Sequence, residues 1–315
     1  MRKVATRVLL SISPGLLLIA VSTSPAMAAQ QPKTLQQKKQ APAGRIVPVN
    51  KQGTVLIDVS GKRVLLKAKV VLREGLLEMF CCLKQTKEHE SILAVDSKAY
   101  TIHTALLAIG AKPGRPVRFV PKYKPAIGQR IDIFVQWTDK TGKLHRAPAQ
   151  HWIRHATRRF YVARLEKLPA GFKLPPKSEL RYDEKNHELT WYGRMTARQR
   201  DALLKLSNDG PYQKAIRSFF QRSQPRPMRA HWIFTGSRLF TDKRTGKNIY
   251  QAEGGDLICV SNFATAMIDV DIRSSASAGE GLLFEPDPTQ VPPLGTAVTI
   301  ELIPFVAKKR PAGKK

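Results

Sequence analysis

Apolar residues at every second position mark the first strands of the chain. One such run covers residues 55–59, a second covers residues 64–70, and the Ser-Gly pair at 60–61 separates them. Side chains with a period of two lie on one face of a β-strand, so both runs predict strands. A third apolar run covers residues 76–82, and we expect the three strands to form an antiparallel meander.

The apolar spacing becomes helical at residues 99–109. Ile102, Ala105 and Leu106 fall on one face of a helix, and Gly110 stands where a glycine often ends one. The pattern therefore predicts a helix that docks on the strands through this apolar face.

Residues 156–227 interrupt the strand pattern. Thr196 and Gln199 have the spacing of a capping box at the start of a predicted helix over 197–206, and a second predicted helix covers 212–220. Strand-like runs resume after residue 228. We therefore interpret this stretch as a partly helical insertion.

These elements predict an α+β fold. We expect it to be rich in β-structure, with mainly antiparallel sheets, one docked helix and a basic, partly helical insertion. We assign a single domain to residues 46–307. A leader at 29–45, rich in Gln, Lys, Pro and Ala, buries nothing and is expected to be disordered. A basic tail occupies residues 308–315.

The first 28 residues are typical of a secretory signal peptide. Basic residues precede an apolar run at 8–21, and the Ala-Met-Ala sequence at 26–28 has the small-residue pattern of a cleavage site. The apolar run is shorter than the ~20 residues that a membrane-spanning helix needs. We expect an exported protein, periplasmic or extracellular, with no transmembrane segment in the mature chain.

The net charge is unusually high, +29 over 315 residues. The excess is concentrated in the middle, where residues 141–231 hold 20 basic and 7 acidic side chains. The arginines of the insertion that we assign to anion binding are Arg158, Arg159, Arg194, Arg198, Arg200, Arg217 and Arg222.

A surface of this sign attracts anionic polymers and anionic membrane surfaces, and aromatic side chains lie among the arginines. No nucleic-acid-binding module is recognisable, so sequence-specific binding of nucleic acid is not expected. The alternative is a solvated basic surface that has no specific partner.

Thiols, imidazoles and carboxylates are concentrated between residues 81 and 103. Such side chains suit Zn or Cu, although their spacing matches no common ligand motif. The residues that we consider for a metal site are Cys82, Glu88, His89, Glu90 and His103. The alternative is that Glu88 pairs with Lys87 at the surface and that the histidines form local hydrogen bonds. No residue is assigned a catalytic role.

The chain has three cysteines, so at most one disulfide leaves one thiol free. Adjacent cysteines rarely pair, because the linkage is strained. A bridge from Cys259 to Cys82, or to Cys81, would link distant parts of the domain and stabilise it by about 2–4 kcal/mol. Three buried thiols are the alternative.

Several stretches together resemble the YdjY-like family of exported bacterial proteins. The stretches are residues 87–91 (Lys-Glu-His-Glu-Ser), 103–110, 232–237, 255–258 and 292–296. The resemblance extends over about 46–155 and 228–305. It implies one extracytoplasmic domain and supplies no reaction. The four-thiolate pattern of an iron–sulfur cluster is missing from the sequence.

We therefore expect an exported, non-enzymatic binding or accessory protein of the bacterial cell envelope. The alternative function is a metal-binding or redox protein with a site around Cys82, His89 and His103.

Overall fold

The computed structural model describes residues 45–275 and 283–307, which contain eighteen strands and three α-helices. The strands are β1 (Ile46–Pro48), β2 (Val55–Asp58), β3 (Arg63–Val70), β4 (Met79–Leu83), β5 (Ser91–Val95), β6 (Gln129–Thr138), β7 (Leu144–Pro148), β8 (Ile153–His155), β9 (Phe160–Arg164), β10 (Leu180–Asp183), β11 (Glu188–Tyr192), β12 (Trp232–Phe234), β13 (Leu239–Thr241), β14 (Asn248–Tyr250), β15 (Ile258–Cys259), β16 (Ile268–Val270), β17 (Phe284–Pro286) and β18 (Ala297–Pro304). The helices are α1 (Ala99–Ala108), α2 (Ala197–Leu204) and α3 (Gly210–Arg222), and short 3-10 turns cover Glu88–Glu90, Ala149–Trp152 and Gln251–Gly254.

Eight strands close into a barrel. Neighbours follow the order β3-β18-β6-β12-β16-β15-β4-β5, and β5 pairs with β3 to complete the circle. β3 shares one edge between two partners, because residues 63–66 pair with β2 and residues 68–70 pair with β5. Strands from residues 46–155 and from residues 228–305 therefore build the same barrel.

The barrel sheet is mixed rather than simply antiparallel, and the predicted three-strand meander is wrong. β4 is not next to β3; it runs parallel to β5, and β15 runs parallel to β16. Residues 84–90, which include the Glu88–Glu90 turn, return the chain to the end at which β4 begins. β5 therefore starts beside the start of β4, and the two strands do not form a hairpin. The apolar run at residues 76–82 predicted a strand, but not which strands pair with it.

Alternate positions of the long strands are buried in one apolar core. On β18 these are Val298, Ile300 and Leu302, and α1 adds Ile102 and Leu106. Each such side chain contributes about 1.5–3 kcal/mol when it leaves water. This core holds the barrel and α1 together.

Helix α1 ends where the sequence pattern predicts. Gly110 has φ of 85°, its N–H bonds the Leu107 carbonyl at 2.9 Å, and Ala111 N–H bonds the Leu106 carbonyl at 3.0 Å. This pair of bonds is the Schellman motif, which favours glycine at the left-handed position. The described residues contain three helices, of which α2 and α3 fall at the two helices predicted for the insertion.

Residues 161–219 form a second core beside a separate sheet. β9, β10 and β11 make this antiparallel sheet in the order β10-β11-β9, and α2 and α3 follow it in the chain. The capping box of Thr196 and Gln199 is confirmed at the start of α2. The second core is formed by Tyr161, Leu165, Leu180, Leu189, Trp191, Met195, Leu203, Tyr212, Ala215, Ile216 and Phe219. The limits of the insertion, 156–227, stay a prediction.

The predicted signal peptide at 1–28, all of the leader except Arg45, and the tail at 308–315 lie outside the described residues. Within the described ranges, no helix has the length and apolar character needed to cross a membrane.

Candidate functional site

The five side chains considered for a metal site lie in different surroundings. His89 is in the Glu88–Glu90 turn with its side chain 77% exposed, whereas Cys82 is fully buried in β4. Glu88 accepts a hydrogen bond from the Gln85 backbone at 3.0 Å. No group of three His, Cys, Asp or Glu side chains in residues 45–275 and 283–307 is placed to hold a metal ion. The described residues therefore do not bring these five side chains together as one ligand set.

The three thiols are free and buried, so the predicted bridge from Cys259 to Cys82 or Cys81 is not formed. In the antiparallel pair of β15 and β4, Cys259 lies opposite Met79 and not opposite either cysteine. Burial raises the pKa of all three thiols. They stay protonated at neutral pH, and a protonated thiol is a poor nucleophile and metal ligand.

Lys87, considered from sequence as a surface partner of Glu88, is instead the centre of an ion-pair cluster with other carboxylates. Its ammonium lies 2.9 Å from Glu78, 3.2 Å from Asp256 and 3.4 Å from Glu90. It also lies 4.5 Å from the ring centre of Phe263. Burial opposes the charge on Lys87, but the hydrogen bond to Glu78 and the charge of Asp256 raise its pKa. Lys87 is therefore charged at neutral pH and links the residues just before β4 and β15 to the Glu88–Glu90 turn.

The same cluster joins two stretches that carry the family resemblance. Gly255 has φ of 110°, and a Cβ atom there would lie 2.5 Å from the Thr86 hydroxyl oxygen. Only glycine permits both this backbone and this approach. Residues 87–91 and 255–258 thus meet through the pair of Lys87 with Asp256, beside the close approach of Gly255 to the Thr86 side chain. The Gly-Gly-Asp sequence at 254–256 indicates a turn but not its partner Lys87.

In the described part of the chain, His103 does not contact the Lys87 cluster. It lines a cavity of about 270 Å³ between α1 and the β13–β14 hairpin. Its Nδ1 lies 2.7 Å from the Tyr250 hydroxyl, which donates its proton to the Gly236 carbonyl at 3.0 Å. Since a hydroxyl has one proton, Nδ1 is then the donor and Nε2 has the free lone pair. Burial lowers the pKa of His103, so the ring is neutral at pH 7. The pair can therefore accept one hydrogen bond or a proton, through Nε2 of the neutral ring.

The predicted anion-binding arginines lie around the second core and have varied contacts. Arg158 pairs with Glu74 at 3.3 Å, and Arg200 pairs with Asp201 at 2.7 Å. Arg217 bonds the Gln213 side chain at 3.3 Å. The remaining four residues of the set are Arg159, Arg194, Arg198 and Arg222.

Arg222 and Arg159 lie beside the outer strand of the small sheet. Arg222 donates to the Val162 carbonyl at 3.1 Å, and its guanidinium lies 5.6 Å from the ring centre of Tyr161. Arg159 lies 5.9 Å from the same ring. Arg194 and Arg198 are exposed just after the sheet ends.

The open face of the small sheet carries an aromatic pair that the sequence did not place. Phe160 on β9 and Tyr192 on β11 are register partners, and their ring centres lie 4.9 Å apart. Phe160 is 61% exposed and Tyr192 is 41% exposed, while Trp191 and Tyr161 are buried on the opposite face. Strand alternation therefore leaves two aromatic rings facing solvent on this face.

The comparisons with known proteins concern the first part of the barrel. No curated protein and no solved structure matches the chain. A family model described as the YdjY domain matches residues 55–164, which run from the start of β2 to the end of β9. This span includes Lys87, His103 and the residues of the Lys-Glu-His-Glu-Ser stretch. The match supports a YdjY-like family assignment for residues 55–164.

Proposed function

We propose that this chain is an exported, non-enzymatic binding protein of the bacterial cell envelope, periplasmic or extracellular. Its ligand is an anionic polymer, held on the open face of the sheet formed by β9, β10 and β11. The predicted signal peptide supports export, and the concentration of basic residues in 141–231 supports an anionic ligand.

The observation that carries the proposal is the exposed pair of Phe160 and Tyr192. Large aromatic side chains are costly to leave in water, and the inner face of this sheet already has a core without them. Aromatic faces stack on sugar rings and bases, and arginines beside them pair with sulfate, phosphate or carboxylate groups. Arg159 precedes Phe160 in sequence, Arg194 lies two residues after Tyr192, and Arg222 donates to the Val162 carbonyl on the same strand as Phe160.

The experiment measures binding of the mature chain to heparin and to inorganic polyphosphate, each at roughly 50 and 300 mM salt. Affinity should fall steeply with salt, because binding releases counterions. The double variant Phe160→Ala/Tyr192→Ala should lose about tenfold or more, since stacking contributes about 1–3 kcal/mol per ring. Its salt dependence should stay that of the native chain. The variant Arg194→Gln/Arg198→Gln should weaken binding and also reduce the salt dependence.

Matched controls come from the barrel. Phe119 is exposed and has its own aromatic neighbour, Tyr123, at 6.0 Å, so Phe119→Ala removes an equivalent ring elsewhere. Lys67→Gln/Lys69→Gln removes two exposed charges from β3. Neither control should change binding by more than about twofold. Absence of binding at low salt, or equal losses in Phe119→Ala and the aromatic double variant, would reject the proposal.

A further inference from the structure

The β13–β14 hairpin is a small arm with its own architecture. Its two strands pair only with each other in the described sheets, with Phe240 opposite Ile249 and Leu239 opposite Tyr250. At the tip, Asp242 accepts a hydrogen bond from the Arg244 N–H at 2.9 Å. A side-chain hydrogen bond therefore helps to fix the turn at the tip.

A second bond fixes the same turn. The Asp242 carboxylate accepts from the Thr245 hydroxyl at 2.7 Å, and this bond and that of the Arg244 backbone lower its pKa. The Gly246 N–H also bonds the Asp242 carbonyl at 2.8 Å. The one acidic side chain of the arm is thus engaged in local hydrogen bonds.

Exposed apolar side chains lie on the stem of the arm. Phe240 and Ile249 share one face and are 49% and 47% exposed, and Leu239 on the other face is 66% exposed. Tyr250, the register partner of Leu239, is buried, with its ring centre 5.9 Å from that of Tyr100 on α1, so this end of the second face packs on the protein. The face of Phe240 and Ile249 stays open to solvent, an exposed apolar surface that a partner or a membrane could cover.

The arm also concentrates positive charge within an acidic part of the chain. Residues 232–307 hold 5 basic and 9 acidic side chains, and 4 of the 5 basic ones are in residues 238–250. These four are Arg238, Lys243, Arg244 and Lys247. Three of them belong to the tip, next to the exposed apolar stem.

We infer that this hairpin docks on an anionic membrane surface. Phe240, Ile249 and Leu239 enter the boundary between headgroups and acyl chains, and the basic tip pairs with anionic headgroups. The arm lies outside residues 156–227, so the inference does not rest on polymer binding by the small sheet. The two sites would let one protein attach to a membrane surface while it holds a polymer.

The experiment uses the mature chain with vesicles of phosphatidylcholine alone, and of phosphatidylcholine with an equal amount of phosphatidylglycerol. Cosedimentation should occur with the anionic vesicles and weaken with salt. In Lys243→Gln/Arg244→Gln/Lys247→Gln the partition coefficient should fall about fivefold for each residue removed. In Phe240→Ser/Ile249→Ser it should fall at least about tenfold.

The β6–β7 turn provides the charge control. It also begins with an aspartate, Asp139, which accepts a backbone hydrogen bond from Thr141 at 2.8 Å. Lys140→Gln/Lys143→Gln removes two of its charges and should leave vesicle binding within about twofold. Leu144→Ser is the control for the apolar variant. It removes an exposed apolar side chain from β7 and should also leave vesicle binding within about twofold.

A reporter locates the contact directly. In Phe240→Trp, tryptophan emission should shift to the blue on anionic vesicles and be quenched by brominated acyl chains; in Leu144→Trp it should do neither. No vesicle binding at low salt would overturn the inference, and so would binding that leaves the emission of Phe240→Trp unchanged. Retention of the mature chain on polyglutamate through this arm, without vesicle binding, would also overturn the inference, in favour of an acidic protein partner.

Discussion

Asp269 is a buried carboxyl group with too few partners for its charge. Its side chain has no exposed surface, and one oxygen accepts from Asn262 at 3.1 Å and from Val270 N–H at 2.8 Å. The other oxygen has no hydrogen-bond partner in the structure. Burial raises the pKa of Asp269 to about 7 and outweighs these two bonds.

This pKa predicts how stability depends on pH. The unfolded chain ionises Asp269 near its ordinary pKa of 3.8, while the native chain keeps the proton up to about pH 7. The native state therefore binds more protons in this window, and the free energy of unfolding should fall as pH rises from 4 to 7. Asp269→Asn should remove this contribution, on the order of 3 kcal/mol.

The measurement is urea denaturation of the native chain and of Asp269→Asn at pH 5 and pH 8. From pH 5 to pH 8 the free energy of unfolding should fall less in the variant than in the native chain, because Asn has no proton to lose. Asp96→Asn is the control, since that exposed carboxylate pairs only with Lys84 at 2.9 Å. Equal pH dependence in the native chain and Asp269→Asn would contradict the assignment.

Residue types were easier to predict than residue partners. The sequence indicated that Cys82, His89 and His103 could carry chemistry, but residues 88–90 form a 3-10 turn that points His89 to solvent. Lys87 lies within the same stretch, and its contacts come from Glu78 and Asp256. A partner 169 positions away in the chain leaves no local pattern, so the charged cluster could not be predicted.

Helix α1 shows the same limit at the level of an element. Its apolar face and its end at Gly110 follow from local sequence, so both could be predicted. Its start has no side-chain cap from Lys98, the residue that precedes it. The first N–H groups are instead bonded by Glu253, at 3.1 Å to Ala99 and 2.9 Å to Tyr100.

This remote cap makes α1 sensitive to one side chain outside it. Glu253→Ala should lower the free energy of unfolding by about 1–2 kcal/mol, because two helix N–H groups lose their acceptor and the helix dipole loses a negative charge. Glu253→Gln retains one oxygen acceptor without the charge and should fall between the native chain and Glu253→Ala. Urea denaturation at pH 7 measures all three, and a loss below about 0.3 kcal/mol in Glu253→Ala would show that water caps α1 equally well.

In the separate sheet formed by β9, β10 and β11, strand alternation predicts which side chains are buried but not which residues of neighbouring strands are paired. Alternation at Trp191 and Tyr192 separates a buried ring from an exposed one. It does not show that Phe160 is the partner of Tyr192, because that depends on the register of two strands 24 residues or more apart in sequence. The pairing of Phe160 with Tyr192 on the open face could therefore not be predicted from local sequence.

At the scale of the whole molecule, closure of the barrel is the feature least accessible from sequence. β18 pairs with β3 and β6, and β5 pairs with β3, so most contacts that close the sheet join distant parts of the chain. Local periodicity predicts strands one at a time and contains no information on which edges meet. A β-rich α+β protein could be predicted, whereas a mixed eight-stranded barrel could not.

The two cores of the described chain should respond separately to cavities. Phe219 is buried in the core of residues 161–219, and Phe234 is buried in the core of the barrel. Replacing either by alanine should destabilise its own core by about 3–5 kcal/mol. Because opening free energies are local to cooperative units, amide exchange should accelerate mainly where the cavity is made.

Hydrogen exchange followed by mass spectrometry of the full chain measures this directly. In Phe219→Ala, exchange should accelerate in β9, β11 and α3 while β6 and β18 stay slow. In Phe234→Ala, which removes the same side chain from the barrel, β6, β12 and β18 should accelerate instead. The same acceleration in both variants would mean that the two cores unfold as one cooperative unit. The open face with Phe160 and Tyr192 would then be coupled to the barrel, and a polymer bound there would protect β18 as strongly as β9.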